Sequence, residues 1–229
     1  MTNFIAKIFC TTILLCSHNV VFAQTPQIKT VTPKVQHTSI GTALEYSPFS
    51  FDFQNIETGR TAQLIESVRP MDIVFAPGVD LKLTSPIRIE KKSLFDILNT
   101  VLKPHQLTIR ILDRDLFWIE HRNKANVTLT FACDQQSLPS MQSQLCPQKT
   151  ISILKQLNAQ HIQHDLSDGA EEHLGKGDRI RGQINHQQVQ IYCMDQSQKV
   201  SARIIVVGQD KNKVKHTFNQ ISQAYKQQQ

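Results

Sequence analysis

The sequence lacks long apolar runs after residues 1–23. No later segment approaches the roughly 18 to 20 uninterrupted apolar residues that a membrane-spanning helix needs. The chain has 229 residues, of which 40% are hydrophobic and 19% are charged, and its mean hydropathy is −0.29. This composition excludes a disordered or fibrous protein and predicts one or two folded domains.

The sequence also lacks the common catalytic motifs. It contains no Gly-x-Ser-x-Gly nucleophile elbow, no His-Glu-x-x-His zinc helix and no Cys-x-x-Cys redox pair. The glycine-containing loop at residues 175–179 does not have the spacing of a phosphate-binding loop. His161 and His164 are three residues apart on a predicted strand and would face opposite sides of it. We therefore predict that the protein is not an enzyme and has no catalytic, cofactor or metal site.

Residues 1–23 are typical of an export signal peptide. Lys7 is their only charged residue, an apolar stretch follows it, and residues 21–23 (VFA) have the spacing that a signal peptidase accepts. Lipid attachment at Cys16 is not expected, because Leu15 is larger than the residue that a lipoprotein signal places before its cysteine. The mature protein is expected in the periplasm, free or associated with the outer membrane.

Cysteine is scarce in the mature chain. Removal of the signal peptide leaves Cys133, Cys146 and Cys193 in an oxidising compartment, and these three residues permit three single disulfides. Cys133 and Cys146 are the favoured pair, because they flank a turn-rich segment whose closure would stabilise the fold by about 3 kcal/mol. Cys193 lies in an apolar run and is expected to be a buried thiol.

The mature chain divides by pattern into a leader and two folded units. Residues 24–47 are rich in Gln, Thr, Pro and Ser, lack apolar periodicity and predict a flexible leader. Residues 48–123 predict the order strand, helix, strand, strand, helix, strand, strand. Residues 124–229 predict two helices and a sheet, with helices at 150–157 and 212–225 and strands at 161–166, 179–184, 189–193 and 200–207. The predicted fold class is α+β, with two small αβ domains.

Local signals define several elements of the first unit. Phe49, Phe51 and Phe53 alternate with polar residues and predict its opening strand. Ser93 is expected to cap the second helix. Pro86 cannot donate to a central ladder, so residues 81–89 predict an edge strand or a bulge.

Residues 49–119 resemble the secretin and TonB N-terminal short domain. The resemblance lies in the opening FSFDF, in LIESVRPMDIVFAPGV, in SLFDILNTVLKPHQLTIR and in the closing FWI. It implies a small αβ domain that mediates protein contacts, without catalysis, at the periplasmic end of outer-membrane secretins and of TonB-dependent signalling receptors. Residues 150–221 are similar to an uncharacterised family of small bacterial envelope proteins, which implies a fold and almost no function.

These features predict a non-catalytic periplasmic interaction module, accessory to an outer-membrane secretin-type secretion or pilus apparatus. The partner is a protein, expected to bind the edge strand at Leu81, Leu83, Ile87 and Ile89 or the exposed end of the helix that Ser93 caps. One alternative is a TonB-linked signalling or transport accessory. Another is a binder of an anionic envelope glycan or lipid, since residues 124–229 hold 12 Lys and Arg against 8 Asp and Glu, with the cluster at Lys176, Arg179 and Arg181. No nucleic-acid partner is expected.

Overall fold

A computed structural model describes residues 28–31, 49–68, 71–138, 143–165, 177–196 and 199–227. The predicted signal peptide lies outside these residues, as does most of the predicted leader. The described residues form eleven strands and four α-helices, which confirms the predicted α+β class. None of the helices in these ranges is long and apolar enough to span a membrane.

The segment from 49 to 121 builds two small sheets and two helices around one core. Strands β2 and β4 pair antiparallel, and a separate sheet has the order β3–β6–β5, with β3 parallel to β6. Apolar side chains of both helices and both sheets form a single buried cluster. The elements are β2 (Phe49–Glu57), α1 (Thr58–Val68), β3 (Asp72–Phe75), β4 (Thr84–Lys92), α2 (Leu94–Leu102), β5 (Leu107–Asp113) and β6 (Leu116–His121).

Both helices of this segment begin where polar groups satisfy their first backbone N–H groups. Ser93 Oγ accepts from the backbone N–H of Asp96 at 3.1 Å, which confirms the predicted cap of α2. At α1, the backbone N–H groups of Thr58 and Gly59 donate to the carbonyls of Leu83 and Leu81 at 2.8 and 2.9 Å. The start of α1 is therefore fixed by a segment that follows it by more than twenty residues.

The rest of the chain builds a larger sheet with the strand order β1–β7–β11–β10–β9–β8. Helices α3 and α4 cover one face of it, and their apolar side chains share a core with alternate residues of the central strands. Asn185 and His186 have φ values of 49° and 67°, the backbone conformation that a tight two-residue hairpin between β9 and β10 requires. The elements are β1 (Ile28–Val31), β7 (Leu129–Ser137), α3 (Cys146–Gln156), β8 (Gln160–Asp165), β9 (Arg179–Ile184), β10 (Gln187–Gln196), β11 (Lys199–Gly208) and α4 (Lys211–Gln227).

The second face of the larger sheet packs against the β3–β6–β5 sheet. A third buried cluster joins them, with Val74 and Trp118 from the smaller sheet against Phe131, Tyr192 and other residues of the larger one. Side chains alternate along each strand, so every central strand supplies one core on each side. The molecule thus has four layers. The first contains α1, α2 and the β2–β4 pair, the second is the β3–β6–β5 sheet, the third is the larger sheet, and the fourth contains α3 and α4.

The predicted flexible leader is wrong in part. Residues 28–31 form β1, which pairs antiparallel with β7, so that Ile28 lies opposite Ala132. This pairing joins segments about a hundred residues apart, and no apolar period within the leader could reveal it. Residues 32–48 lie outside the described residues.

The predicted disulfide between Cys133 and Cys146 is also wrong, as is the free thiol predicted at Cys193. Cys146 and Cys193 form the disulfide, with their Cα atoms 5.9 Å apart, and Cys133 is free. Cys133 cannot reach Cys146 because side chains alternate between the two faces of β7. Ala132 faces α3 and α4, whereas Cys133 packs on the opposite face, against the small sheet.

We predict that the Cys146–Cys193 bond is the principal covalent constraint on the larger sheet. It closes a loop with a sequence separation of 47 residues, and the chain-entropy account gives such a loop about 4 kcal/mol of stability. The double variant Cys146→Ala with Cys193→Ala should lose about 3 to 4 kcal/mol in urea unfolding, whereas Cys133→Ala should lose less than half of that. Equal losses in the two variants would contradict the prediction.

Candidate functional site

The predicted docking strand is displaced by three residues along the chain: β4 covers Thr84–Lys92, whereas residues 81–89 were expected. Leu81 and Leu83 lie in a turn before β4, half-buried, with their carbonyl oxygens bound to the start of α1. Ile87 is 1% exposed and belongs to the core. Ile89 lies on β4 opposite Phe51. The usable edge therefore begins at Thr84.

Strand β4 presents polar side chains on its outer surface. Arg88 lies directly opposite Asp52 of β2, and both are exposed, as are Pro86 and Glu90. We call Asp52, Pro86, Arg88 and Glu90 the β2–β4 surface. Phe53, which is 38% exposed, lies opposite the core residue Ile87 and so belongs to the other face of the pair.

Strand β4 has an open edge. Among the described strands it pairs with β2 alone. The Ser85 hydroxyl anchors the strand to the end of α2, by a 3.3 Å hydrogen bond to the carbonyl of Val101 and a 2.9 Å contact with His105 Nε2. An anchored strand with one unpaired edge can accept a further strand without rearranging the core.

The predicted anionic-ligand cluster is wrong for its two arginines. Arg179 and Arg181 are only 2% and 5% exposed. They are two residues apart on β9 and face the small sheet, while Ile180 between them faces the helices. Lys176 lies outside the described residues. A soluble anion would have to displace internal carboxylates to reach these guanidinium groups.

A buried carboxylate in α1 binds both parts of the chain. Glu66 Oε2 accepts from Arg179 Nη1 at 2.7 Å, and Oε1 accepts from the hydroxyl of Tyr192 at 2.6 Å. Oε1 also accepts from the backbone N–H of Ile73 at 2.6 Å. The side chain of Glu66 is fully buried, so these three donors replace its hydration.

Asp165 extends this network to the edge of the larger sheet. Its carboxylate accepts from Arg179 Nε at 3.0 Å and from Arg181 Nη2 at 2.8 Å. Burial alone would raise the pKa of Asp165, but the charges and hydrogen bonds of the two arginines outweigh it and lower that pKa. Burial and the neighbouring Arg179 lower the pKa of Arg181.

Two further contacts join the sheets beside Glu66. Gln190 Nε2 donates to the backbone carbonyl of Ile73 at 3.0 Å. Arg203 Nε donates to Asp72 Oδ2 at 2.7 Å, and although burial acts to lower the pKa of Arg203, Asp72 raises it. We call Glu66, Asp72, Asp165, Arg179, Arg181, Gln190, Tyr192 and Arg203 the interface network.

Sequence reasoning missed most of the interface network. The available signal was alternation, because Gln190 and Tyr192 recur every second residue on β10, as Arg179 and Arg181 do on β9. Polar residues at that spacing among apolar ones mark a strand face with polar partners. Glu66 gave a weaker signal, as an acidic residue directly after the buried Ile65.

The arrangement of these groups suits binding and structural support. The ionised groups of the interface network bind one another within the larger sheet and across to α1 and β3, whereas the β2–β4 surface is exposed next to an unpaired edge. Comparisons with protein families, with curated proteins and with solved structures give no match for this chain.

We predict that Glu66→Gln destabilises the protein by about 3 kcal/mol in urea unfolding. The substitution leaves the buried Arg179 guanidinium without one of its two carboxylates, and an uncompensated buried charge is costly. The exposed Glu57 in the preceding strand provides the matched control, and Glu57→Gln should change stability by less than about 0.5 kcal/mol. In a double-mutant cycle with Arg179→Gln, a coupling energy near zero would contradict the prediction.

We predict that Tyr192 and Tyr225 ionise only when the protein unfolds. Burial first, and then the charge of Glu66, raise the pKa of Tyr192 well above its usual range. Burial raises that of Tyr225, whose hydroxyl contacts Thr150. An unfolded tyrosine has a pKa of about 10, so the stability from both residues is complete below about pH 10 and is lost as the pH rises further.

Absorbance at 295 nm, measured beside circular dichroism, tests this prediction in a Tyr46→Phe background. Tyrosinate should form together with the loss of native structure. Tyrosinate that forms while the circular dichroism is still native would contradict the assignment. Tyr192→Phe should reduce the alkaline slope of stability, because one of the two buried phenols is removed.

Proposed function

We propose that this chain is a non-catalytic protein-interaction module of the bacterial cell envelope, accessory to an outer-membrane secretin-type secretion or pilus apparatus. The proposal combines the resemblance of residues 49–119 to the secretin and TonB N-terminal short domain with one structural observation. That observation is the open edge of β4 beside an exposed surface of mixed charge. The predicted signal peptide agrees with an envelope location.

The layering of the molecule favours β2–β4 as the docking region. Within residues 49–121, the small sheet β3–β6–β5 has one face on the helices and the other on the larger sheet. Its faces are therefore occupied within the chain itself. The β2–β4 surface has no such cover among the described residues, and Asp52, Arg88 and Glu90 are exposed on it.

A partner strand would add to β4 by main-chain hydrogen bonds. Pro86 has no N–H group and would restrict the register that the added strand can adopt. Arg88 and Glu90 would select complementary charges on alternate partner residues. Such an interface would bury about 800 Å² or less on each partner, the range of a standard or transient contact.

We predict that a photo-crosslinking amino acid placed at Arg88 captures a secretin or a secretin-associated protein in intact cells. The experiment uses the exported chain with a tag after Gln229 and identifies captured proteins by mass spectrometry. The matched control carries the same amino acid at Gln163, an exposed residue of β8 on the larger sheet. Capture at residue 88 and not at 163 is expected.

The other outcomes separate the alternatives. Capture of TonB-system proteins alone at residue 88 would assign the same surface to a TonB-linked accessory and contradict the secretin partner. Equal capture at residues 88 and 163 would contradict a docking site on β4. Conversion of a small molecule by the purified chain would contradict a non-catalytic role.

A further inference from the structure

The outer helical layer of the larger sheet is charged with one sign only. Helices α3 and α4, all of whose residues the structure describes, contain six lysines and no Asp, Glu or Arg. We call this layer the lysine face. Its charged members are Lys149, Lys155, Lys211, Lys213, Lys215 and Lys226.

The lysines of α4 are not explained by helix stability. The positive end of the helix dipole favours acidic residues in the first turn, and lysines there are unfavourable. Lys211, Lys213 and Lys215 are nevertheless exposed in the first turns, and the acidic residue near them, Asp210, has its carboxylate engaged with the backbone N–H groups of Asn212 and Lys213 at 2.8 and 3.1 Å. The helix dipole adds to the positive potential of this region.

The spacing of the lysines concentrates charge along α4. Lys211, Lys215 and Lys226 are separated by 4 and 11 residues, which are close to whole numbers of helical turns, so they lie along one side of the helix. Lys155 is exposed in the last turn of α3, which packs beside α4. By contrast, the β2–β4 surface alternates acidic and basic residues.

The same helical layer begins with an exposed apolar side chain. Leu145 immediately precedes α3 and is 48% exposed. Amphipathic surfaces that bind bilayers combine lysines, which attract anionic headgroups, with apolar side chains that enter the boundary between headgroups and acyl chains.

We propose that the lysine face binds the anionic headgroups of a lipid bilayer. Two adjacent helices present a broad cationic surface, and a bilayer is a broad anionic one. Lysine interacts with phosphate as a point charge, without the planar fork that arginine uses for bidentate recognition, which suits a fluid array of headgroups. Nucleic-acid binding is disfavoured, because the layer has no arginine and no exposed aromatic side chain for stacking.

Vesicle co-sedimentation of the exported chain tests this proposal. The vesicles contain equal parts phosphatidylglycerol and phosphatidylethanolamine, or phosphatidylcholine alone. Binding to the anionic vesicles is expected at about 50 mM salt, with strong weakening at about 500 mM. Each lysine near such a surface contributes roughly fivefold to partitioning, so the triple variant Lys211→Gln, Lys215→Gln, Lys226→Gln should bind at least tenfold more weakly.

A matched variant separates a specific face from diffuse attraction. Lys82→Gln, Lys103→Gln, Lys124→Gln removes the same net charge from exposed residues outside α3 and α4 and should change binding less than threefold. Both triple variants should retain the thermal unfolding midpoint of the unmodified chain.

Three outcomes would overturn the proposal. The first is no binding of the unmodified chain to anionic vesicles at low salt. The second is an equal loss in the two triple variants, which would indicate attraction by net charge alone. The third is lysine-dependent binding to polyglutamate without vesicle binding, which would assign the face to an acidic protein. None of these results depends on whether β4 binds a secretin.

Discussion

A fully buried carboxylate constrains the rest of the structure. Glu66 of α1 is fully buried, so its carboxylate must find hydrogen-bond donors inside the protein. It finds them in the backbone of β3 and in the side chains of two strands of the larger sheet. These bonds require the two units to adopt one relative position, because apolar contacts alone tolerate sliding and hydrogen bonds to a single carboxylate do not.

Elements that are determined by local interactions could be predicted from the sequence, whereas elements that depend on distant segments could not. The strand Arg179–Ile184 was predicted with the bounds observed, because its periodicity and the nearby turn residues specify it locally. The α1 bonds to Leu81 and Leu83, and the pairing of β1 with β7, depend on contacts between distant segments, and no local pattern encodes these contacts.

The candidate site shows the same division. Their spacing shows that Arg179 and Arg181 lie on the same face of β9. Whether that face is exposed to solvent or covered by a segment that carries carboxylates depends on the tertiary fold, which the local sequence does not specify. The cysteines depended on the same information, since β7 directs Cys133 away from the helix that carries Cys146. The basic excess of the C-terminal half was visible in the composition. Its concentration in α3 and α4 emerged only once those helices were seen to form one layer.

The strand order of the larger sheet has a consequence for how the chain matures. β11 lies between β7 and β10, yet it is the last strand in sequence. Until β11 is in place, β7 and β10 each lack one of their two neighbouring strands and leave an edge and apolar side chains exposed, which favours aggregation. Closure of the larger sheet therefore waits for a strand that follows both of its partners in the sequence, and the time that β11 takes to reach its place between β7 and β10 sets how long those edges and side chains stay exposed.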